Sequence, residues 1–272
     1  MSKVKVNGIE IYYEVHGEGD PLVLIMGLRR NTEWWYRQIS ALSKYFTTIA
    51  FDNRGAGRSD KPKMDYSIRL FGDDTAGLME SLGIKSAHVL GVSMGGYIAQ
   101  ELAIDYPGKV RSLVLGCTSC GGARAVLMSQ ERIEKFTANK GLTPEEILRK
   151  DMDIYFSDRF VQKNPDKIEE FVEISLRYYQ PPDAFFRQFA ACLNHDTVDR
   201  VGGISVPTLI MTGDDDPLVP PENSRLLKEL IPSADLRFFP ECRHCFFIEE
   251  AETFNEKSID FLKSISKTDS AV

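Results

Sequence analysis

Gly91-Val92-Ser93-Met94-Gly95 is the stretch on which the reading of this chain turns. Val89-Leu90 closes a short apolar run of strand type before it. The segment from Met94 to Tyr106 has a helical pattern and stops at Pro107. A serine between a strand and a helix, with glycine two positions away on each side, marks a very sharp turn that projects the hydroxyl. Side chains at the glycine positions would strike the strand or the helix, and Gly96 adds further room. The helix that follows brings free N–H groups and a positive dipole end to the serine. A chain of this composition yields about 0.1 such pentapeptides by chance, so the setting carries the weight rather than the pattern. The plain alternative is a glycine-rich turn with a helix-capping serine.

Outward from this turn, short apolar runs alternate with helical patterns, as in a mostly parallel α/β sheet. Eight strands are expected: 3–6, 9–15, 22–25, 47–51, 87–90, 110–115, 207–211 and 236–239. The first two form an antiparallel pair around Asn7-Gly8, a hairpin turn signal. Helices are expected over 33–44, 67–82, 94–106, 221–231 and 248–265. From about 121 to 201 no strand is expected. That stretch is helical, charged and rich in aromatic residues, among them Phe136, Tyr155, Phe171, Tyr178, Phe185, Phe186 and Phe189. A helical insertion inside an α/β sheet commonly forms a lid. The expected organisation is thus sheet (1–120), helical lid (121–201) and sheet again (202–272).

A serine hydroxyl is a poor nucleophile without a base. Four histidines are present: His16, His88, His195 and His244. His88 falls inside a buried-type strand, His16 in an early turn, and His195 beside Asp196 at the end of the insertion. His244 follows the last strand, in Pro240-Glu241-Cys242-Arg243-His244-Cys245. Loops at the C-terminal ends of parallel strands converge on one edge, which makes His244 the expected base for Ser93. The base needs an acid, and the loop after 207–211 offers Asp214, Asp215 and Asp216 on the same edge.

With these pieces assembled, the chain resembles the α/β-hydrolase superfamily over nearly its full length. The resemblance rests on Leu24-Ile25-Met26-Gly27-Leu28, Asp52-Asn53-Arg54-Gly55-Ala56-Gly57-Arg58-Ser59, Gly91 to Gly96, Gly213-Asp214-Asp215-Asp216-Pro217 and His244, in that order. It is nearest in look to 3-oxoadipate enol-lactonase-like hydrolases and small carboxylesterases. It implies the α/β-hydrolase fold, an eight-stranded, mostly parallel sheet flanked by helices with a helical lid. It implies Asp216 as the acid, three residues past the loop glycine. It also implies an oxyanion hole from the backbone N–H groups of Leu28 and Met94. Many relatives carry His-Gly where this chain has Met26-Gly27, which opens the question of how that loop is held. The Asp52–Ser59 block is expected to brace loops.

Composition bounds the rest. The chain has 272 residues, a formal net charge of -7 and 27% charged residues. The acidic balance argues against a nucleic-acid partner. No apolar run approaches the roughly 18 residues of a membrane span, and Met1-Ser2-Lys3-Val4-Lys5-Val6 lacks the apolar stretch of a signal peptide. A cytoplasmic place is expected. Cys117, Cys120, Cys192, Cys242 and Cys245 are expected as free thiols. The two C-x-x-C pairs lie too far apart for a zinc site of ordinary spacing, so no metal is expected. Cys242 and Cys245 flank His244, where a bulky thiol reagent would crowd the base.

The expected activity is hydrolysis of a small-molecule carboxylic ester through an acyl-enzyme, without cofactor. An enol-lactone hydrolase, a carbon–carbon bond hydrolase or a perhydrolase on the same triad stand as alternatives, and a non-catalytic ligand receptor as a remote one. Gly27, Arg30, Tyr178 and Phe186 are expected to touch substrate. Arg29 and Arg30 are expected mainly in loop-bracing or surface ion pairs, with pairing to a substrate carboxylate as their other use.

Overall fold

The structure, a computed structural model, describes residues 2–269; Met1 and residues 270–272, the outermost ends of the expected first and last segments, lie outside the described residues. All eight expected strands are present: β1 (Ser2–Val6), β2 (Ile9–His16), β3 (Asp20–Ile25), β4 (Phe46–Phe51), β5 (Ala87–Val92), β6 (Val110–Gly116), β7 (Thr208–Gly213) and β8 (Ala234–Phe239). They form one sheet in the order β1-β2-β4-β3-β5-β6-β7-β8. β1 pairs antiparallel with β2, and β2 antiparallel with β4; every later pairing is parallel. Asn7 and Gly8 both have positive φ, as a tight two-residue hairpin turn requires.

The central strands read as unbroken apolar runs because helices cover both faces. Side chains alternate between the faces with period two. Leu22, Leu24, Leu90, Val92, Val114, Leu209 and Met211 join one core with Trp35, Phe246 and Phe254. Val23, Ile25, Val89, Leu113, Leu115 and Ile210 join the other with Phe71, Ile98 and Leu102.

The helices are α1 (Ile39–Leu42), α2 (Ile68–Ser81), α3 (Met94–Asp105), α4 (Gln130–Thr137), α5 (Pro144–Lys150), α6 (Met152–Tyr155), α7 (Asp158–Lys163), α8 (Pro165–Leu176), α9 (Pro182–Leu193), α10 (Glu222–Leu230), α11 (Phe246–Glu249) and α12 (Ala251–Asp269). The expected helix over 33–44 is broken. A 3-10 turn spans Thr32–Trp35, capped by the Asn31 side chain, and α1 is a separate short helix. Successive residues of an α-helix point about 100° apart. Trp34 and Trp35 are nonetheless both buried, which the tight turn accommodates. The expected helix over 248–265 begins earlier and breaks at Glu250, separating α11 from α12. Phe246, Phe247 and Ile248 are likewise consecutive and buried.

Six helices, α4 to α9, lie between β6 and β7. Among the described residues of this stretch the sole β-type pairing is a single bridge, Gly121 to Asp196. These helices share the first core instead of building their own: Ile154, Phe156 and Phe171 cluster with Trp34 and the sheet residues. Phe171 meets the Trp34 ring edge-on at 4.8 Å, and burying such a side chain contributes about 2–3 kcal/mol. No helix of the described residues is long and apolar enough to cross a membrane.

Candidate active site

β5 ends at Val92 and α3 begins at Met94, so Ser93 alone turns the chain. Its backbone sits at φ 55°, ψ −124°, a conformation that costs a non-glycine residue about 1–3 kcal/mol. The surroundings enforce it. Ser93 N–H donates to Gly116 O at 2.8 Å, and the Ser93 carbonyl accepts from Gly96 N–H at 2.8 Å and from the Thr118 hydroxyl at 2.9 Å. A Cβ on Gly91 would lie 2.2 Å from Gly95 O, and one on Gly95 would lie 2.0 Å from Ile25 O. Glycine is therefore a steric requirement on both sides of the serine.

β3 runs into the Met26–Arg30 loop, which passes directly beside this turn. A Cβ on Gly27 would stand 3.0 Å from Ser93 Cβ and 3.5 Å from its Oγ. Leu28 comes next and lines the same cavity as Ser93. Neither the Leu28 nor the Met94 N–H donates to another group among the described residues. Both residues line a cavity of about 560 Å³, together with Gly27, Arg30, Ser93 and His244. Where many relatives place a histidine, Asn53 Nδ2 donates to Met26 O at 2.9 Å and holds the start of the loop.

The three successive aspartates diverge. Asp214 Oδ1 accepts from Glu241 N–H at 2.7 Å. Asp215 points outward to Arg243 at 3.0 Å, with its side chain 64% exposed. Asp216 is buried. Its Oδ1 accepts from the Leu218 and Val219 amides at 2.9 and 3.0 Å, and its Oδ2 meets His244 Nδ1 at 2.8 Å. Bonded this way, Nδ1 carries the proton and Nε2 is left as the acceptor. The His244 loop is fixed from the insertion: Cys245 N–H donates to Tyr155 O at 2.8 Å, and Arg243 Nη1 donates to Asp153 O at 2.9 Å.

The other histidines are engaged elsewhere or neutral. His88 Nδ1 pairs with Ser112 Oγ at 2.8 Å inside the sheet. His16 pairs with Glu14 at 3.0 Å. His195 stacks on Tyr97 at 4.5 Å, and burial lowers its pKa to about 4.

The cavity wall corrects two expectations on substrate contact. Tyr178 and Phe186 do not line it. Tyr178 is exposed in the link between α8 and α9, with Arg58 over its ring at 4.3 Å. Phe186 is 57% exposed. On α9 it is Phe185 and Phe189, four residues apart, that stack at 5.6 Å, while Phe186 lies about 100° round the helix. The aromatic wall comes instead from Trp34, Phe136, Tyr155 and Phe189. Trp34 and Thr118 carry no chemical signal in the sequence, and their roles appear only on folding.

Among the described residues, Arg29 and Arg30 do not make the expected bracing or surface ion pairs. Both residues are buried, and neither has a carboxylate within 4.0 Å among the described residues. Arg30 lies over the Trp34 ring at 3.9 Å and donates to the Tyr155 hydroxyl at 2.8 Å, while burial works against its charge. The buried Asp151 carboxylate pairs with Lys150 at 3.1 Å instead. The Asp52–Ser59 block braces loops. Asp52 accepts from Thr32 and Arg58 amides at 2.7 Å each, and Arg54 grips Asp74 with two bonds of 2.8 and 2.7 Å.

All five cysteines are free thiols. Cys242 and Cys245 are fully buried, and burial pushes the Cys242 thiol up to about 12. Crowding of His244 by a thiol reagent is therefore opposed by both access and ionisation. Cys117, Asp216 and His244 bring three ligand atoms within 4.8 Å of one another. The His244–Asp216 hydrogen bond already occupies two of these groups, so a cation there would have to displace it.

The sheet order, the strained serine on its strand-to-helix turn and the His–Asp pair define a class. The chain belongs to the alpha/beta hydrolase fold family, whose sequence profile matches residues 20–251. Among individual proteins, it is 30% identical to one from Azorhizobium caulinodans that bears the name carbamate hydrolase RutD, over 95% of this chain and 97% of that one. Among solved structures, the enol-lactonase from Burkholderia xenovorans LB400 superposes with a TM-score of 0.85 at 25% identity, covering 96% of this chain and all of that one. A thermophilic esterase from Thermogutta terrifontis superposes with a TM-score of 0.84 at 25% identity, over 97% and 99% of the two chains.

Proposed function

We propose that the chain is a serine hydrolase that cleaves carboxylic esters through an acyl-enzyme, with Ser93 as nucleophile, His244 as base and Asp216 as its orienting acid. The observation that carries this reading is the 2.8 Å bond from His244 Nδ1 to buried Asp216, on the wall of the cavity that Ser93 also lines. Ser93 Oγ attacks the ester carbonyl carbon as His244 Nε2 takes its proton. The oxyanion that forms is held by the Leu28 and Met94 amides, each such donor contributing about 3 kcal/mol to the transition state. The intermediate collapses with loss of the alcohol, protonated by His244. Water, deprotonated by the same imidazole, then releases the acid. Helices α4 to α9 act as a lid that walls the cavity with aromatic rings. The five free thiols fit a reducing compartment, the cytoplasm.

A second, narrower reading has one observation behind it. Arg30 presents a buried guanidinium on the cavity wall, with no carboxylate within 4.0 Å among the described residues. Such a charge is costly unless a ligand completes it. A substrate that itself carries a carboxylate, as an acidic lactone or half-ester does, supplies that partner.

The test of the main reading is turnover of short p-nitrophenyl esters by wild-type protein and Ser93→Ala, together with fluorophosphonate labelling. Loss of turnover in a folded Ser93→Ala, and label on Ser93 in the wild type, are expected. Turnover that survives Ser93→Ala would overturn the mechanism. An unreactive Ser93 in folded, inactive wild-type protein would point to a ligand receptor.

A further inference from the structure

We propose that Gln188, on α9, is a positioning residue that sets the geometry of the oxyanion-binding loop. The inference rests on the reading of Leu28 as an oxyanion donor and adds what holds that donor in place.

Arg29 follows Leu28 immediately and has φ 72°, in the left-handed region that side chains other than glycine adopt rarely. That conformation needs support from outside the loop. The Arg29 N–H donates to Gln188 Oε1 at 3.1 Å. The same side chain reaches onward, and Gln188 Nε2 donates to Arg54 O at 2.7 Å. Gln188 is fully buried. It therefore ties the loop after β3 to the loop after β4 through a single planar amide. Only a side chain with both an acceptor and a donor, and with the length of glutamine, can make this pair of contacts. An ionised glutamate lacks the donor, and an asparagine is one methylene short.

α9 holds the same residue a second time. The Arg29 guanidinium lies over the Phe185 ring at 4.3 Å, three positions before Gln188 and on the same side of the helix. Backbone and side chain of Arg29 are thus both fixed by one helix of the insertion. With the Arg29 amide committed to Gln188, the Leu28 amide lies on the cavity wall with no partner among the described residues. In this arrangement the inserted helices do more than cover the cavity. They fix one of its two oxyanion donors.

A ketone pair tests this directly. A trifluoromethyl ketone accepts Ser93 Oγ at its carbonyl carbon; Ser93 passes its hydroxyl proton to His244, and the former carbonyl oxygen becomes an oxyanion for the two amides. The matching methyl ketone binds without that addition. Gln188→Leu is expected to lower kcat for a p-nitrophenyl ester 10- to 100-fold with KM within about twofold. It should weaken the trifluoromethyl ketone by a similar factor and leave the methyl ketone unchanged. Gln188→Asn keeps an amide but loses the reach, and is expected to behave the same way; it carries the test if Gln188→Leu does not fold. A purely structural role would weaken both ketones together or change only thermal stability, and either result overturns the proposal. So does an unchanged kcat in a protein that Ser93→Ala inactivates. Turnover that does not need Ser93 would instead remove the catalytic reading itself.

Discussion

His195 offers a quantitative check on the electrostatics of the cavity wall. Its ring is almost fully buried against Tyr97, with neither nitrogen hydrogen-bonded among the described residues. Glu101, whose Oε1 lies 3.8 Å away, is already held by Arg200, which donates to Oε1 at 2.6 Å and to Oε2 at 2.9 Å. Burial therefore lowers the pKa from 6.5 to about 4. In the unfolded chain this histidine takes up a proton as the pH falls below 6.5, whereas the folded protein holds it neutral until about pH 4. The unfolded state thus binds more protons across that window, and stability falls with falling pH. Between pH 7.5 and 5 the loss from this one group is about 2 kcal/mol, or about 4 °C in melting temperature for a chain this long. His195→Phe keeps a ring for Tyr97 and removes the titration. Melting followed by circular dichroism at the two pH values should show the wild type losing about 4 °C more than the variant. Equal losses in the two proteins would show that the imidazole is not held neutral by burial.

Three further outcomes follow from the site. Asp216→Asn should lower kcat by about 10³- to 10⁴-fold with little change in KM, while Asp215→Asn, which loses only an outward pair with Arg243, should remain within about threefold of wild type; the reverse pattern would move the acid to the neighbouring residue. Arg30→Met should reduce kcat/KM more than about 10-fold for a half-ester that ends in a carboxylate, yet raise or preserve it for the matching methyl diester; equal effects on both esters would remove Arg30 from substrate recognition. Iodoacetamide at pH 7.5 should leave ester turnover intact over an hour, because Cys242 and Cys245 are buried and the Cys242 thiol is pushed up to about 12; rapid inactivation mapped to either residue would mean that the His244 loop opens in solution.

The sheet and the sharp turn at Ser93 were legible because they rest on local sterics and period-two burial. Glycines 91 and 95 have no alternative at their positions, and a strand covered on both faces must be apolar throughout. The choice among Asp214, Asp215 and Asp216 was harder, since one loop gives three adjacent carboxylates three different directions. In the fold the Leu218 and Val219 amides turn back onto Asp216, and it is this carboxylate that meets His244. Within the helical insertion, composition announced rings without saying where they point. Phe186 and Phe189 share a helix, yet only Phe189 reaches the cavity. That Arg30 meets Tyr155 and Trp34 and, among the described residues, no carboxylate was also hidden, because the partners of a buried charge depend on every element packed around it. The expected helix over 33–44 failed for a related reason: Trp34 and Trp35 both have core to fill, and tertiary packing prevailed over local helical pattern.

The most direct measurement is the mass of the protein during turnover. Rapid mixing with a slowly deacylating ester, an acid quench and mass spectrometry of the intact chain and its peptides would trap the covalent intermediate. The account predicts a gain equal to one acyl group, confined to the peptide that contains Ser93 and absent from Ser93→Ala. Steady turnover with the acyl group found on another residue, or with none at all, would contradict it.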